Sequence, residues 1–435
     1  MMKYNKQLLM ILLVLAAFVM RAQTVLTLEQ AIDSALANNY GIAIARNNVT
    51  IAENNNTPGN AGMLPNLSMN VTDSPANNSI RQEFANGSEI VRDNVNSNNL
   101  SASLAATWTL YDGGKMFATR NKLGELQNLS ELSLKAEIQN LVANVIGAYT
   151  SLLSLQQYES VLVRLQSVAN TRLELILTRQ SAGLANNSDV YLAQLDVEAA
   201  NQALQLHRQS MMKAEAQLKT LMRANPAGSY ELQGTALMTT IPTRASYDEL
   251  FRTNPEVLMA NSNAKIALHA EKETSSLRYP KISLTLSYGY LLSQSQAGFS
   301  LYNKTYGATG SVGLTVPLFS GFVYRNNYIN AGLARKNAEM QAKQVESDLK
   351  VQYELAWQLY ESSSRQVEND RKNQDIASDY LELMTLRYES GQSTVLELRE
   401  AERSFDEANF RRITNQANLK LAETDLLRLT GLLFK

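Results

Sequence analysis

The residue types that carry out most enzymatic chemistry are scarce in this sequence. The chain has no cysteine, which excludes thiol nucleophiles, disulfides and thiolate metal sites. Neither of its two histidines, His207 and His269, has a second histidine at the spacing of a metal site. No phosphate-binding glycine loop, nucleophile elbow or zinc motif is present. We therefore expect no metal, no cofactor and no catalysis, and a periplasmic hydrolase is a poor explanation of the chain.

The overall charge gives no sign of a nucleic-acid partner. The 40 Lys and Arg residues are balanced by 41 Asp and Glu residues, for a formal net charge of -1. A chain with this balance has no excess of positive charge for binding phosphate, and no acidic tail that would predict disorder.

Residues 1–22 have the features of a secretory signal peptide. Lys3 and Lys6 precede an apolar run that ends at Met20, and Ala22 offers a small residue for cleavage. The apolar run of about 13 residues is too short to span a bilayer, which needs about 20. The alternative is an N-terminal membrane anchor. We expect an exported protein without a later hydrophobic helix of spanning length, so any membrane crossing would use strands.

The remainder of the chain contains one pattern twice. The same offset along the chain relates Gly183 to Gly391 and Ala200 to Ala408. An ungapped match of this kind over about 100 residues indicates an internal duplication. The predicted organisation is a first repeat over residues 23–224, a connector over 225–246 and a second repeat over 247–435.

Each repeat is predicted to contain a helix, two strands, a very long helix and a returning helix. The first strand alternates apolar residues (Leu67, Met69, Val71) with small polar ones, so it has one apolar face. The same alternation runs over residues 100–110, 282–290 and 312–318. Strands of about 9–11 residues suit a tilted bilayer crossing. The polar segment Asn94–Asn99 is predicted to be an exposed loop.

Four strands are too few to close a barrel, which needs about eight or more. Open strand edges in lipid would leave backbone groups unpaired at several kcal/mol each. Three chains related by cyclic symmetry would supply twelve strands and could close. The alternative is a soluble periplasmic coiled-coil scaffold in which the strands form a small capping sheet.

The predicted long helices are the second unusual element. Residues 115–181 and 324–390 contain no proline, and each run of about 67 residues would form a helix about 100 Å long. In the first run, apolar residues step by four and three, as in coiled coils: Leu141, Val145, Ala148, Leu152 and Leu155. Gly183 and Gly391 end the two helices, which predicts two antiparallel helical hairpins.

These features together resemble the TolC-like outer-membrane efflux proteins. The resemblance covers nearly the whole mature chain and rests on the duplicated plan and on short motifs at fixed places in it. The motifs are Leu64-Pro65 and Tyr279-Pro280 before strands, the strand exit at residues 110–114, and the two tips at 182–190 and 388–397.

The resemblance implies an α+β membrane protein that forms a homotrimer. Its twelve-stranded transmembrane β-barrel would lie in the outer-membrane lipid of a Gram-negative bacterium, continued by a twelve-helix α-barrel in the periplasm. The implied function is the passive exit duct of a tripartite efflux or type I secretion system. The implied partners are a periplasmic adaptor protein and an inner-membrane transporter, which would supply the energy.

The resemblance also assigns a pore constriction. Glu397 and Glu400 take the places of family aspartates that ring the narrow mouth. Six carboxylates from three chains would attract cations, repel anions and raise some of the carboxyl pKa values. The alternative is a pair of ordinary solvated carboxylates in a first helical turn, where the helix dipole favours them.

Family positions that latch the closed tip are matched by Asp189 and Tyr388, and Ser188 lies where a small hydroxyl residue is usual. Asp189 could instead be the N-cap of the returning helix. Ser393 departs from the family pattern, because a drug-efflux member has an arginine there, so the charged latch is incomplete. By position, the adaptor-docking surface comprises the residues of the two turns: Gly183, Leu184, Ala185, Gly391, Gln392 and Ser393.

Overall fold

The computed structural model describes residues 24–225, 230–233 and 244–433. The expected signal peptide and most of the expected connector lie outside the described residues. The chain divides into two compact units. One comprises Met1–Arg46, Ser133–Leu258 and Val345–Lys435, and the other Asn47–Leu132 and Met259–Gln344.

The helices and strands follow one another in an order close to the predicted one. In chain order they are β1 (Thr24–Leu26), α1 (Leu28–Asn38), α2 (Tyr40–Asn55), β2 (Asn66–Glu83), β3 (Glu89–Asp112), α3 (Lys115–Ser181), α4 (Asn187–Met222), β4 (Tyr230–Leu232), α5 (Tyr247–Thr253), α6 (Pro255–Ser276), β5 (Lys281–Ser295), β6 (Tyr302–Thr315), α7 (Val323–Glu389) and α8 (Val395–Leu429).

The long helices have the predicted lengths. Helix α3 spans 67 residues with the predicted bounds, and α7 spans 67 residues, beginning and ending one residue before its predicted bounds. The absence of proline permits such lengths, because no backbone donor is lost within the helix. In the first unit, Val145 and Leu152 of α3 are almost completely buried against α4 residues such as Leu218. The packing of the apolar stripe therefore follows the predicted coiled-coil spacing.

The second unit contains a four-stranded antiparallel sheet in the order β2-β3-β5-β6. Its strands have 18, 24, 15 and 14 residues, longer than predicted. The prediction of a loop at residues 94–99 was wrong, because these residues belong to β3: residues 95–99 pair with β2, and residues 97–99 pair with β5 as well. Asparagine is rare in strands, but here the Asn77 side chain donates to the Asn96 side chain across the strand pair at 2.7 Å.

At its C-terminal end, β6 is shorter than predicted. The alternation of apolar residues predicted a strand to residue 318, but the ladder ends at Thr315. Pro317 explains the difference, because proline has no N–H with which to continue a ladder.

The register aligns the apolar side chains of all four strands on one face. Leu104 of β3 lies opposite Met69 of β2 and Tyr288 of β5, and Tyr288 lies opposite Ala308 of β6. Residues directly opposite one another share a face of the sheet. Met69 is 70% exposed, so this apolar face is uncovered in the single chain. A large exposed apolar face marks a surface for lipid or for another protein.

One helix meets the length and composition expected of a membrane span, contrary to the sequence-based expectation. Over the described residues, α3 is that helix, with a window of mean hydropathy 1.2 of which 50% is buried. The core helix of a soluble protein has the same length and composition.

Two glycines lie at the junction of β3 and α3. Both have a positive φ angle, and only the first is also closely packed. Gly113 and Gly114 have φ angles of +72° and +88°, a region that favours glycine. A Cβ on Gly113 would lie 2.5 Å from the Ser276 carbonyl oxygen, whereas a Cβ on Gly114 would meet nothing within 4 Å. Asp112 then caps α3, its carboxylate accepting from the Met116 N–H at 3.0 Å.

Substitution of these glycines is expected to separate backbone strain from steric clash. Gly114→Ala should lower the free energy of unfolding by about 1–2 kcal/mol, the strain of positive φ alone. Gly113→Ala should lower it by a further 1–3 kcal/mol or so, because the added methyl overpacks the turn. The measurement is the midpoint temperature of thermal unfolding of each variant, extracted in detergent. Equal midpoints for the two variants would contradict the role assigned to the Ser276 contact.

Candidate functional site at the helix turns

Two glycine turns end the long helices in the first unit. Gly183 has a φ of +73°, and the Leu184 N–H donates back to the Arg179 carbonyl at 2.8 Å. Gly391 has a φ of +76°, and the Gln392 N–H makes the equivalent bond at 2.7 Å. Both are Schellman motifs, in which left-handed glycine satisfies the last carbonyls of a helix. The turns predicted from the two glycines are thus confirmed.

Each returning helix begins with a reciprocal capping box. Asn186 is the N-cap of α4, and the Asp189 carboxylate accepts from the Asn186 N–H at 3.1 Å. The alternative that Asp189 is itself the N-cap was therefore wrong, because Asp189 lies three residues inside the helix. Thr394 is the N-cap of α8, and the Glu397 carboxylate accepts from the Thr394 N–H at 2.7 Å.

The two carboxylates predicted for the constriction lie in the first turns of α8. Glu397 and Glu400 are three residues apart, which places them on one helix face. Hydrogen bonds from the backbone and side chain of Thr394 lower the pKa of Glu397 below its usual value. Glu400 lies 3.4 Å from Arg403 at the surface. Within one chain, both side chains are therefore exposed and Glu397 is held in its charged form.

The predicted latch residues divide into two groups. Tyr388 is buried, and its ring lies under the Arg179 guanidinium at 5.2 Å from the ring centroid. Burial raises the pKa of Tyr388. A cavity of about 260 Å³ is lined by Tyr388 together with Asp189 and Ser393. Ser188, by contrast, is exposed to solvent.

Sequence reasoning missed a buried charge network in the same unit, formed by Arg172 of α3, Asp196 of α4, and Arg399 and Glu402 of α8. The Arg172 side chain is 3% exposed and donates to Glu402 at 2.7 Å and to Asp196 at 2.9 Å. Asp196 also pairs with Arg399. Burial raises the pKa of Glu402, and the attraction of Arg172 offsets only part of that shift. The network links both helices of the first hairpin to the second.

One signal in the sequence could have indicated this network. Arg172 stands among the buried positions of α3, between Ala169 and Ile176. A charged residue at such a position must find partners, because an unpaired buried charge is costly. Its partners lie far away in the sequence, so their identity required the structure.

The two histidines have packing roles. The ring of His207 lies edge-on to Tyr158 at 5.3 Å, and its Nε2 lies 2.8 Å from the Leu155 carbonyl oxygen. His269 is half-buried, and burial lowers its pKa. Among the described residues, no group of three or more His, Asp and Glu side chains is arranged to hold a metal ion.

A sheet with one exposed apolar face, joined to long helical hairpins that end in glycine turns, defines the class of outer-membrane channel proteins. The chain belongs to the Outer membrane efflux protein family, whose sequence model matches residues 31–222 and 247–432. The resemblance to TolC-like proteins is thereby confirmed. The protein is located in the outer membrane of Gram-negative bacteria, with a large periplasmic part.

Individual relatives agree with this assignment. Protein CyaE of Bordetella pertussis is 23% identical over 347 residues, which cover 78% of this chain and 72% of that protein. The outer-membrane channel CmeC of Campylobacter jejuni has a TM-score of 0.80 at 17% identity, over 94% of this chain and 86% of that chain. The outer-membrane protein VceC of Vibrio cholerae has a TM-score of 0.76 at 18% identity, over 93% and 96%. The two structures establish the α+β fold.

Proposed function

We propose that three copies of this chain form a twelve-stranded barrel that serves as the passive exit duct of a tripartite efflux or type I secretion system. The observation that carries this proposal is the exposed apolar face aligned across all four strands of the sheet. In lipid this face would be solvated by acyl chains, and the opposite face, rich in Ser and Thr, would line a water-filled pore.

The edges of the sheet support sharing of strands between chains. Strands β2 and β6 are the two edge strands in the described chain, with 18 and 14 residues. Each presents unpaired N–H and C=O groups along its outer side, which is untenable in hydrocarbon. Pairing β2 of one chain with β6 of the next would satisfy both edges, and three chains would close the ring.

The described helices support a long periplasmic conduit that ends at the two glycine turns. Transport through it would be driven by an inner-membrane transporter, and a periplasmic adaptor would dock at the turns. Leu184 of the first turn is 79% exposed, which fits a docking contact. Gly183, Ala185, Gly391, Gln392 and Ser393 complete this surface. A soluble periplasmic scaffold is not favoured, because the chain belongs to a family of outer-membrane channels.

The two halves of the chain fit this architecture as structural repeats. We propose that residues 23–224 and 247–435 are repeats of one unit, joined by a connector at 225–246 after removal of a signal peptide at 1–22. The two helices of 67 residues, each followed by a Schellman turn and a capped return helix, support this division.

The first test is the mass of the particle that detergent extracts from outer membranes, measured by light scattering corrected for bound detergent. A trimer found only in the membrane fraction is expected. A water-soluble monomer or dimer would overturn the barrel and leave the scaffold as the better explanation.

Placing a charge on one face of β3 tests which face meets lipid. Leu104→Arg should reduce the amount of trimer in the outer membrane severely, because an arginine facing lipid near the bilayer centre costs about 2–4 kcal/mol per chain. The matched variant Ser103→Arg puts the same charge on the opposite face and should be tolerated. Trimer yield in the outer-membrane fraction is the readout. The assignment of the faces fails if Ser103→Arg is the more damaging of the two.

A further inference from the structure

The outward apolar face of the sheet gives way to a cluster of amide side chains near the hairpin turns. This amide cluster consists of Asn77, Asn96, Asn98, Gln294 and Gln296. Asn98 lies opposite Gln294, and Asn96 opposite Asn77, so the register places these four on the same face as Leu104 and Tyr288. Gln296 joins them through its side-chain oxygen, which accepts from the Asn96 N–H at 3.3 Å.

The amide cluster lines a cavity of about 610 Å³, together with Pro75, Ala76, Ser97 and Ser295. Of the described residues, those that line it include no charged and no aromatic side chain. The Asn98 Oδ1 atom is buried and has no hydrogen-bond partner among the described residues. A buried acceptor without a partner is costly, at about 1–3 kcal/mol, so such an atom calls for a ligand or water.

The boundary between the apolar face and the amide cluster has the features of a membrane interface. Lys304 lies opposite Leu292 in the last apolar row, and its ammonium is 5.6 Å from the centroid of the Tyr290 ring and 5.9 Å from that of Tyr306. Tyrosine and lysine prefer the level of the lipid head groups. From the row of Trp108 to this boundary the apolar face extends four steps of two residues, or about 27 Å along tilted strands.

In the proposed barrel this end of the sheet would face away from the periplasm. Only two residues separate the end of β3 at Asp112 from the start of α3 at Lys115, so the strand ends on that side would be periplasmic. The amide cluster lies beside the β5-β6 turn at the other end of the sheet, and the β2-β3 hairpin extends past it to the Glu83–Glu89 pair. In the proposed barrel the cluster would lie at the level of the outer leaflet's head groups, which in Gram-negative outer membranes are the sugars of lipopolysaccharide.

We propose that the amide cluster binds the sugar hydroxyls of lipopolysaccharide, while Lys304 contacts a phosphate at the base of the same head group. Amide side chains both donate and accept hydrogen bonds, which matches the hydroxyls of a sugar ring. A lining without charged side chains suits sugar hydroxyls. The phosphate would meet Lys304 at the β6 end of the boundary row, whose β2 end carries Asp73. The inference rests on the proposed barrel, in which this face meets lipid.

The test uses the full-length protein in detergent and native mass spectrometry. The probes are a lipopolysaccharide that carries core sugars, the free core oligosaccharide, and lipid A without core sugars. Asn98→Ala combined with Gln294→Ala should weaken binding of the core-bearing lipid about tenfold, which corresponds to about 1.4 kcal/mol. Binding of lipid A should stay unchanged. Asn98→Asp keeps the side-chain volume, removes the amide donor and should weaken binding in the same direction.

Asn99→Ala is the matched control, because Asn99 adjoins Asn98 but lies on the opposite face of β3. It should leave all binding unchanged. If the free oligosaccharide competes with the lipopolysaccharide, the sugar alone is recognised. If it does not compete, recognition requires the sugar to be anchored to lipid. Equal binding by wild type and the double variant, or equal weakening in Asn99→Ala, overturns the inference. A wild-type chain that forms no outer-membrane trimer refutes the barrel itself, whereas a trimer indifferent to core sugars refutes this site alone.

Discussion

Removing one ion pair from the buried charge network is expected to raise the open probability of the channel about tenfold. Asp196→Asn together with Arg399→Gln deletes one anion and one cation, so the net charge stays the same. Asp196 of α4 and Arg399 of α8 belong to different hairpins. Separation of the hairpins breaks this pair, so the pair favours the joined arrangement. A tenfold change requires about 1.4 kcal/mol. That is somewhat more than the ~0–1 kcal/mol of a fully exposed pair, in keeping with a pair whose side chains are 34% and 22% exposed and whose Asp196 also bonds the buried Arg172.

We expect the network to take over part of the role that the resemblance gives to an arginine at position 393. The residue at that position is Ser393, whose side chain ends in a hydroxyl. This hydroxyl lies 3.5 Å from the Met384 carbonyl oxygen. A contact of this kind holds a turn together but cannot link two hairpins by charge. The deeper network of Arg172, Asp196, Arg399 and Glu402 does link them, within one chain.

Single-channel recording in planar bilayers measures this effect directly. The control is Glu407→Gln with Arg411→Gln, which removes an exposed pair on the same helix α8, with the two groups 3.9 Å apart. Exposed pairs contribute about 0–1 kcal/mol, so the control should conduct like wild type. An unchanged open probability in the network variant, or an equal increase in the control, would show that the network does not restrain the tip.

The raised pKa of Glu402 predicts that the open probability of the channel decreases in acid. Burial in the network raises the pKa of Glu402 above 4.5, the value for an exposed carboxyl. The joined arrangement therefore takes up a proton more readily than an arrangement in which Glu402 is exposed, and acid favours the joined form. Open probability should fall as the pH is lowered towards 4.5. Glu402→Gln should remove this component of the pH dependence and leave the remainder in place.

The sequence is sufficient to predict the long helices, and the reason is physical. A run without proline and with apolar residues at coiled-coil spacing has few alternatives to a continuous helix. Gly183 and Gly391, which follow the two runs, can adopt the left-handed backbone conformation that ends a helix without the steric cost that other residues would have. The capping boxes were not predicted, although the sequence carries their spacing. Asn186 precedes Asp189, and Thr394 precedes Glu397, by the spacing that such boxes require.

Other features needed three-dimensional information. The β3 strand continues through residues 94–99 because β2 pairs with it from residue 95 and β5 from residue 97. Local propensity, which disfavours asparagine, has no access to that pairing. The charge network joins residues as distant as Arg172 and Glu402. Charges on helices are usually solvated, so only the burial of Arg172 distinguishes this set from the many surface pairs.

Neutralising Glu397 and Glu400 together is expected to reduce the preference of the pore for cations by about fivefold or more. In the proposed trimer the two positions would supply six carboxylates to one narrow mouth, and closely spaced like charges of that number would generate a potential of several kT. Glu397→Gln suits the test, because glutamine can occupy the third position of a capping box as glutamate does. The start of α8 should therefore persist, and the charge alone should change.

The reversal potential under a salt gradient gives the selectivity, with Glu382→Gln and Glu389→Gln as the control pair. Both control residues are exposed glutamates near the end of α7, so this variant removes the same number of charges from the neighbouring helix. The reversal potential should move towards that of a non-selective pore in Glu397→Gln with Glu400→Gln and stay in place in the control. Unchanged selectivity in the first variant would mean that these carboxylates do not ring the constriction. In that case Glu397 would serve only the capping of α8, as its hydrogen bonds to Thr394 already allow.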